Sequence, residues 1–479
     1  MKIGIYILPL VCLFVACSDF LDYKDNDKII PSELIEYNEL IYGELIDKSS
    51  SSTCYNLLIM SDDVGSWVKG NSSDERIRYK NWYSWAKETQ ITPDGDEMID
   101  PAWEFLYHKI LMCNVIENDV SVIEDDLEGV KYRLLGEVQA IRAMSYWYLV
   151  NMYGEPYRSA EQAKTAMGVP VNKEISILDK IYERESLSTI YELIEENLKS
   201  ALVNLGKGEQ KNTIFRPNKD IVRLFLSRIY LEQKRYGDVI TVCNDLLEET
   251  NKSILPLEKM TGNNYSNEHP VISRDGGNLL FSWWNRDAVS GFNSNSYSIG
   301  KYCVSPDLKN MIKQNPDDVR GNSYVYWDYD GAVLYKFSES NSKCYRMCYR
   351  IEEAYFNRAE AYIYTDQRDL AMQDLTQVYK QRVKGEEPKL EASVDEAAIE
   401  ILRNEKRKEF CFEDIRWFDI RRWGLPVEHQ YQDINDENEY QTFVLEAESP
   451  NYILPLPLDI QRRNEKIEQV VRVETIVKK

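Results

Sequence analysis

Two stretches of this chain are each written as a pair of short amphipathic helices set almost back to back, and that pairing restricts the fold more than any other feature. The first pair is NKDIVRLFLSRIYLEQKRY followed by GDVITVCNDLLEET, with a break near Tyr236 and Gly237. The second is YRMCYRIEEAYFNRAEAYIY followed by DQRDLAMQDLTQVYKQR, with small residues (Ala354, Ala359, Ala361) where helices must approach closely. Upstream, a spacing of three and four residues predicts longer helices over Lys131–Tyr153, through Leu134, Val138, Ile141, Ser145, Tyr148 and Met152, and over Ser186–Leu205. Gly154 and Pro156 end the former. A pair of helices this short cannot bury its apolar stripe alone, so pairs must stack on their neighbours.

Each pair is about 34 residues long, the tetratricopeptide period without that repeat's full consensus. The expected fold is mainly α, a tetratricopeptide-like scaffold of helical pairs. Two regions break the pattern. In residues 251–342 Gly, Asn and Ser increase and alternating runs appear, NLLFSWW and YVYWDYDGAVLYKF; in the second, Asp330-Gly331 between β-prone arms predicts a hairpin. Residues 61–101 read as a loop rich in rings: Trp67, Tyr79, Trp82, Tyr83 and Trp85. Long loops on a rigid frame are functional or disordered, and this aromatic content argues against disorder. The scaffold therefore carries loop-rich insertions containing short β hairpins.

The chain opens MKIGIYILPLVCLFVAC: one basic residue, Lys2, an apolar run from Ile3 to Val15, then Ala16 before Cys17. At 1.5 Å per residue the run spans about 20 Å against a hydrocarbon core of about 30 Å, which suits a signal segment over residues 1–16 and not a membrane span. The FVAC ending resembles the bacterial lipobox, which would make Cys17 the lipidated first residue and residues 17–30 a polar tether to a single unit over residues 31–479; an ordinary secretory signal is the alternative. Acidic residues outnumber basic ones, 80 to 58, a formal charge of −22 that argues against nucleic acid as a partner. Tyr, at 33 residues, far exceeds Phe, at 13, so many rings carry a polar handle suited to sugar or peptide surfaces. The cysteines form no CxxC pair and the histidines, His108, His269 and His429, are isolated, so no disulfide framework, metal site or cofactor is expected. Cys344 and Cys348 are spaced to share a helix face.

The densest chemistry is NEKRKEFCFEDIRWFDIRRWG, Asn404 to Gly424. Lys406, Arg407, Lys408, Arg416, Arg421 and Arg422 are nearly balanced by Glu405, Glu409, Glu413, Asp414 and Asp419, and a phosphate-binding surface would not cancel itself this way. The spacing suits ion pairs within and between helices, with Trp417 and Trp423 packed over Arg planes. This is a charge-balanced brace, which sets register more than stability because desolvation offsets much of the Coulomb gain.

RNEKRKEFCFEDIRWFDIRRWG resembles the C-terminal signature of the SusD/RagB family, surface lipoproteins paired with TonB-dependent transporters in glycan-degrading Gram-negative bacteria. CSDFLD, WEFLYHKILMCN, GEVQAIRAMSYWYLVNMYGEP, RIEEAYFNRAEAYIY and YILPLPLDIQRRN match further family blocks in order, the last as a closing strand and final turn, so the resemblance covers most of the chain. One departure is Asp414, where the family pattern has Gly. The resemblance implies a non-enzymatic lipoprotein of the outer-membrane surface, anchored by lipid, that captures oligosaccharides and passes them to a SusC-like transporter. An oligopeptide ligand, or a transporter lid without ligand affinity, are the alternatives.

The family's ligand residues lie in variable loops, so binding candidates come from chemistry. Sugars need flat rings for their C–H faces and planar polar groups for their hydroxyls. The first insertion offers Trp67, Trp82 and Trp85 with Asn71, Arg76 and Arg78; the second offers Trp283, Trp284, Tyr297, Trp327 and Tyr329. In a strand Trp283 and Trp284 would point to opposite faces, leaving one exposed. Each ring has the competing reading of a cap on the scaffold's core. Acidic pairs such as Asp62-Asp63 are too common in this composition to indicate a hydrolase, and no GxSxG, HExxH or P-loop sequence occurs.

Overall fold

The computed structural model describes residues 31–47, 55–66, 74–125, 127–177, 181–209, 211, 213–257, 272, 277–283, 302–328, 331–334, 347–432 and 439–478. The expected signal segment and tether, residues 1–30 with Cys17, lie outside them. The frame consists of α1 (Ala102–Val122), α2 (Val130–Tyr153), α3 (Leu187–Lys207), α4 (Lys219–Glu232), α5 (Tyr236–Glu249), α6 (Glu352–Ile363), α7 (Arg368–Tyr379), α8 (Asp395–Phe410) and α9 (Arg416–Trp423). Each helix from α1 to α7 packs on the next, and α8 lies against both α6 and α7. The two predicted pairs are α4–α5 and α6–α7, so the fold is the expected mainly α, tetratricopeptide-like scaffold.

Local chemistry explains the boundaries. Ser186 and Asn218 cap α3 and α4 by accepting from the Thr189 and Ile221 amides. Both pairs turn in the same way: Lys234 and Asp366 take φ of 58° and 59°, and Arg235 N and Gln367 N donate to the Tyr230 and Tyr362 carbonyls, each at 2.8 Å. That identity marks a structural repeat where the sequences have diverged. Helix α2 is buried almost all round and is the centre of the core. On it, Gly136 admits α3, since a Cβ there would meet Leu205 at 2.7 Å.

Strands are short and antiparallel: Leu279–Ser282 with Cys348–Arg350, Val64–Gly65 with Cys303–Val304, Val325–Asp328 with Gly331–Leu334, and a sheet in the order Val427–Gln432, Tyr440–Leu445, Ile476–Lys478. The expected hairpin forms, but Gly331, expected in the turn, is a strand residue paired with Asp328. Cys348 begins a strand, so it shares no helix face with Cys344, which lies outside the described residues. The segment read as a closing strand instead has a 3-10 turn, Pro450–Tyr452, and a short helix, Leu458–Arg463, around a buried run in which Leu454 N bonds Met152 O. The first insertion also contains two short helices, Asp74–Arg78 and Lys80–Tyr83.

The brace exists and extends beyond its own segment. Glu409, fully buried on α8, accepts from Arg382 at 2.9 and 2.8 Å, from Arg350 at 2.8 Å and from the Tyr324 hydroxyl at 3.3 Å. Arg350 also forks onto Glu413, Arg320 joins Asp318 to Glu405, and Arg382 reaches Glu352 and the Leu255 carbonyl. This cluster ties α6, α8, the chain after α7 and the second insertion together. Although burial opposes ionisation, Arg382, Arg350 and Arg320 hold the Glu409 carboxyl well below the usual range. Trp423 has Arg422, Arg403 and Lys406 at 5.0, 5.1 and 5.5 Å from its ring, as expected, and donates to Glu360. Trp417 instead packs edge-on to Tyr452 at 6.0 Å. Between α8 and α9, Phe412 and Asp414 have φ of 64° and 44°. The departure from the family's Gly therefore sits on a left-handed residue, a conformation Gly adopts freely and Asp tolerates better than most.

Removing one member of a buried ion cluster leaves uncompensated charge, so Glu409→Gln should destabilise the protein by about 3–5 kcal/mol in urea unfolding at pH 7. Because folding lowers the Glu409 pKa, its contribution is complete above the ordinary carboxylate value and lost as pH falls through the folded one; the gap between wild type and variant should shrink under acid. At the left-handed turn, Asp414→Gly should keep the wild-type melting temperature, while the β-branched Asp414→Val should cost about 1–2 kcal/mol in the same assay.

Candidate ligand-binding region

The start of the first insertion meets the middle of the second, far apart in sequence. Val64 and Gly65 pair with Val304 and Cys303, the strand Gly331–Leu334 lies alongside Cys303–Val304, and Ser66 bridges to Tyr431 of the C-terminal sheet. Farther along the first insertion the chain returns to the same point: Arg76 donates to the Gln432 carbonyl, its guanidinium stands 5.0 Å from the Tyr431 ring, and Tyr302 Oη donates to the Arg76 carbonyl at 3.1 Å.

Beneath this junction is a stack of rings. His429 lies between Tyr83, at 4.1 Å, and Trp85, at 4.3 Å, with its Nδ1 2.7 Å from the Tyr83 carbonyl and its Nε2 2.9 Å from the Ser61 carbonyl. Burial pushes the imidazole pKa down to about 4, so near neutral pH the ring is uncharged and donates to one of the two carbonyls at a time. Trp85 has a φ of 51°; its indole donates to Met60 O, and its carbonyl accepts from Asn451 and Arg472. Arg472, buried, also bonds the Ala86 carbonyl, fastening the C-terminal segment under the insertion.

The Asp62-Asp63 dipeptide anchors the root. Arg416 Nε and Nη2 each donate to the Asp62 carboxylate at 2.7 Å; Arg407 Nε and Phe412 N reach the Asp63 carboxylate at 3.2 and 3.1 Å. Burial, together with the adjacent carboxylate, raises the Asp63 pKa, whereas at Asp62 the opposing effect of burial is outweighed by Arg407 and Arg416, which hold it low. Asp100, another acid in this insertion, accepts from Tyr153 Oη at 2.7 Å.

These positions correct part of the sequence reading. Trp82, Trp85 and Trp283 are 0, 1 and 2% exposed and present no face to a ligand, because flat apolar rings at the insertion roots seal the core. Trp283 also lies away from the junction, donating to Leu45 O and packing near Phe105 and Tyr148. Arg76 is buried as a bolt between segments, while Arg78 is exposed. Trp327 is a strand residue paired with Ala332. Trp67, Asn71, Trp284, Tyr297 and Tyr329 lie outside the described residues. Sequence reasoning missed His429, Tyr302 and Tyr431 as parts of the junction; the alternation in VEHQYQ marks His429 and Tyr431 as facing one way, but not toward what.

A family model described as the SusD family matches residues 277–471, and another, described as starch-binding associating with outer membrane, matches residues 19–231. The fold is similar to a solved putative sugar binding protein from Bacteroides vulgatus, with a TM-score of 0.71 and 21% identity, covering 92% of this chain and 99% of that one. It is also similar to a SusD superfamily protein from Bacteroides thetaiotaomicron, with a TM-score of 0.71 and 19% identity, covering 92% and 98%. Among curated proteins it is 20% identical over 260 residues to a SusD-like protein of Formosa agariphila, 53% of this chain and 47% of that relative. A SusD-like protein of Bacteroides ovatus is 22% identical over 232 residues, 47% of this chain and 38% of the relative. The chain thus spans about half the length of the curated relatives it matches, or less.

The burial of the ring stack has a measurable consequence. Trp85→Ala should cost about 3–5 kcal/mol of stability by urea unfolding, as large-to-small core changes do. Arg78→Ala, on the exposed rim, should stay within about 0.5 kcal/mol of wild type.

Proposed function

The chain belongs to the SusD family, and on that premise we propose that it captures oligosaccharides at the outer-membrane surface and delivers them to a SusC-like TonB-dependent transporter. The observation that carries this reading is the convergence of ring-bearing segments on one junction. A glycan-binding surface needs several flat rings and planar polar groups in one place, and here segments distant in sequence meet. The buried rings are the foundation of the region. The ligand contacts in this reading are Arg78 with Trp67, Asn71, Trp284, Tyr297, Trp327 and Tyr329. A structural neighbour from Bacteroides vulgatus, described as a SusD-like carbohydrate binding protein, supports the sugar class. Residues 1–16 act as a signal segment and 17–30 as a tether lipidated at Cys17, leaving residues 31–479 as one folded unit.

Isothermal titration against a polysaccharide panel that includes soluble starch should find at least one ligand. Trp67→Ala combined with Arg78→Ala should lower its affinity at least about tenfold, or about 1.4 kcal/mol, at unchanged melting temperature. Retention of oligopeptides and of no glycan would replace the sugar with a peptide; retention of neither would leave a transporter lid. In cells, Cys17→Ser should release the protein from the membrane fraction.

A further inference from the structure

The family signature and the ligand-binding junction are in direct contact, and we infer that Arg407 and Arg416 are positioning residues for ligand capture, setting affinity through the roots of both insertions without touching the ligand. This rests on the binding role proposed above. The contact is the Asp62-Asp63 dipeptide. The Asp62 carbonyl accepts from Arg407 Nη2 at 2.6 Å and from Ser305 Oγ at 2.7 Å, and the Asp63 carbonyl accepts from Ser305 N at 2.8 Å. Arg416 grips the Asp62 carboxylate through both arms of its fork, and Arg407 bonds Asp63 while reaching Asp307 beyond. Residues 61–66 root the first insertion, Ser305 and Asp307 belong to the second, and Arg407 and Arg416 stand on α8 and α9. One dipeptide thus registers both insertions against the frame.

Exposure separates this clamp from the Glu409 cluster. The arginine side chains around Glu409 are fully buried, whereas the clamp is closed at Asp63 and Arg407 and opens outward through Asp62, 20% exposed, to Asp307, 76% exposed. An ion pair with one partner in water, as Arg407 makes with Asp307, adds little global stability, and Arg416→Lys keeps the charge beside Asp62. A bidentate arginine–carboxylate fork, however, fixes a plane and a direction, which an ammonium group of the same charge does not. Asp62 lies just before the Val64–Gly65 strand, whose partner is Cys303–Val304. A rotation of the Asp62 carboxylate is therefore passed to the root of the first insertion and to residues 303–305 of the second at once. Binding contacts lose strength when their support shifts by more than about 0.5 Å.

The test is Arg416→Lys, with Asp62→Asn as an independent variant of the same contact, in the full mature protein. Titration with soluble starch and the rest of the panel should show affinity reduced about tenfold in both, with a melting temperature close to wild type in Arg416→Lys, which keeps the charge. Hydrogen exchange should quicken together at residues 61–66 and 303–305, and not in α2 or α3. Unchanged exchange at the two roots, or exchange that rises throughout the frame with a falling melting temperature, would overturn the inference. So would unchanged affinity in a variant whose roots have loosened. Should wild type retain no glycan, the binding reading fails by itself, and the exchange pattern still decides whether the clamp registers both roots.

Discussion

A glutamate with no exposed surface that accepts hydrogen bonds from two arginines, with a third 3.6 Å away, cannot be assembled piecemeal. Each of those charges is costly to bury alone, and the cost is offset only when all are in place. Glu409 therefore makes the positions of α6, α8, the chain after α7 and the Asp318–Arg320 segment conditional on one another. Stacked helix pairs are otherwise permissive, because neighbouring pairs meet through similar apolar faces that tolerate sliding. A cluster of directional, charge-assisted bonds removes that freedom, which is why this chain can hang long irregular insertions on a repeat-like frame and still present them at one location.

The rings divide by role along the same line. Tyr83, Trp85 and Tyr302 at the junction, and Trp283 away from it, are buried and carry load between segments. Their polar handles are spent on backbone carbonyls, as with Trp85 on Met60 and Trp283 on Leu45. The root of the first insertion is thus over-determined: an imidazole between two rings, an arginine fork on Asp62, a paired strand and a left-handed Trp85 agree on one geometry. A tip carried on such a root needs little ordering of its own support when a ligand arrives, which is how pre-organisation improves affinity.

Much of the frame was legible from residue order. Helical periodicity is local, so the helices over 130–153 and 187–207 are legible with ends correct to about two residues, and so is the existence of both pairs; but the first helix of each pair reads too long, to Tyr236 where α4 stops at Glu232 and from Tyr345 where α6 begins at Glu352 after the strand Cys348–Arg350. The charge balance of residues 404–424 marked a brace, because ions that cancel within one segment have partners close at hand. Partners supplied from elsewhere were not legible: Asp62 and Asp63 looked like two acids among many, and became the anchors of Arg416 and Arg407 only across more than three hundred residues of chain. Nor could sequence say whether a tryptophan faces water. WYSW reads the same whether its rings bind sugar or seal a core, since burial depends on what the rest of the chain lays over them. The sequence by itself determined the helical repeat and the existence of a brace. Tertiary structure decided that the insertions converge, and that Trp82, Trp85 and Trp283 lie beneath the surface, because convergence and burial depend on contacts between distant segments that no local pattern encodes.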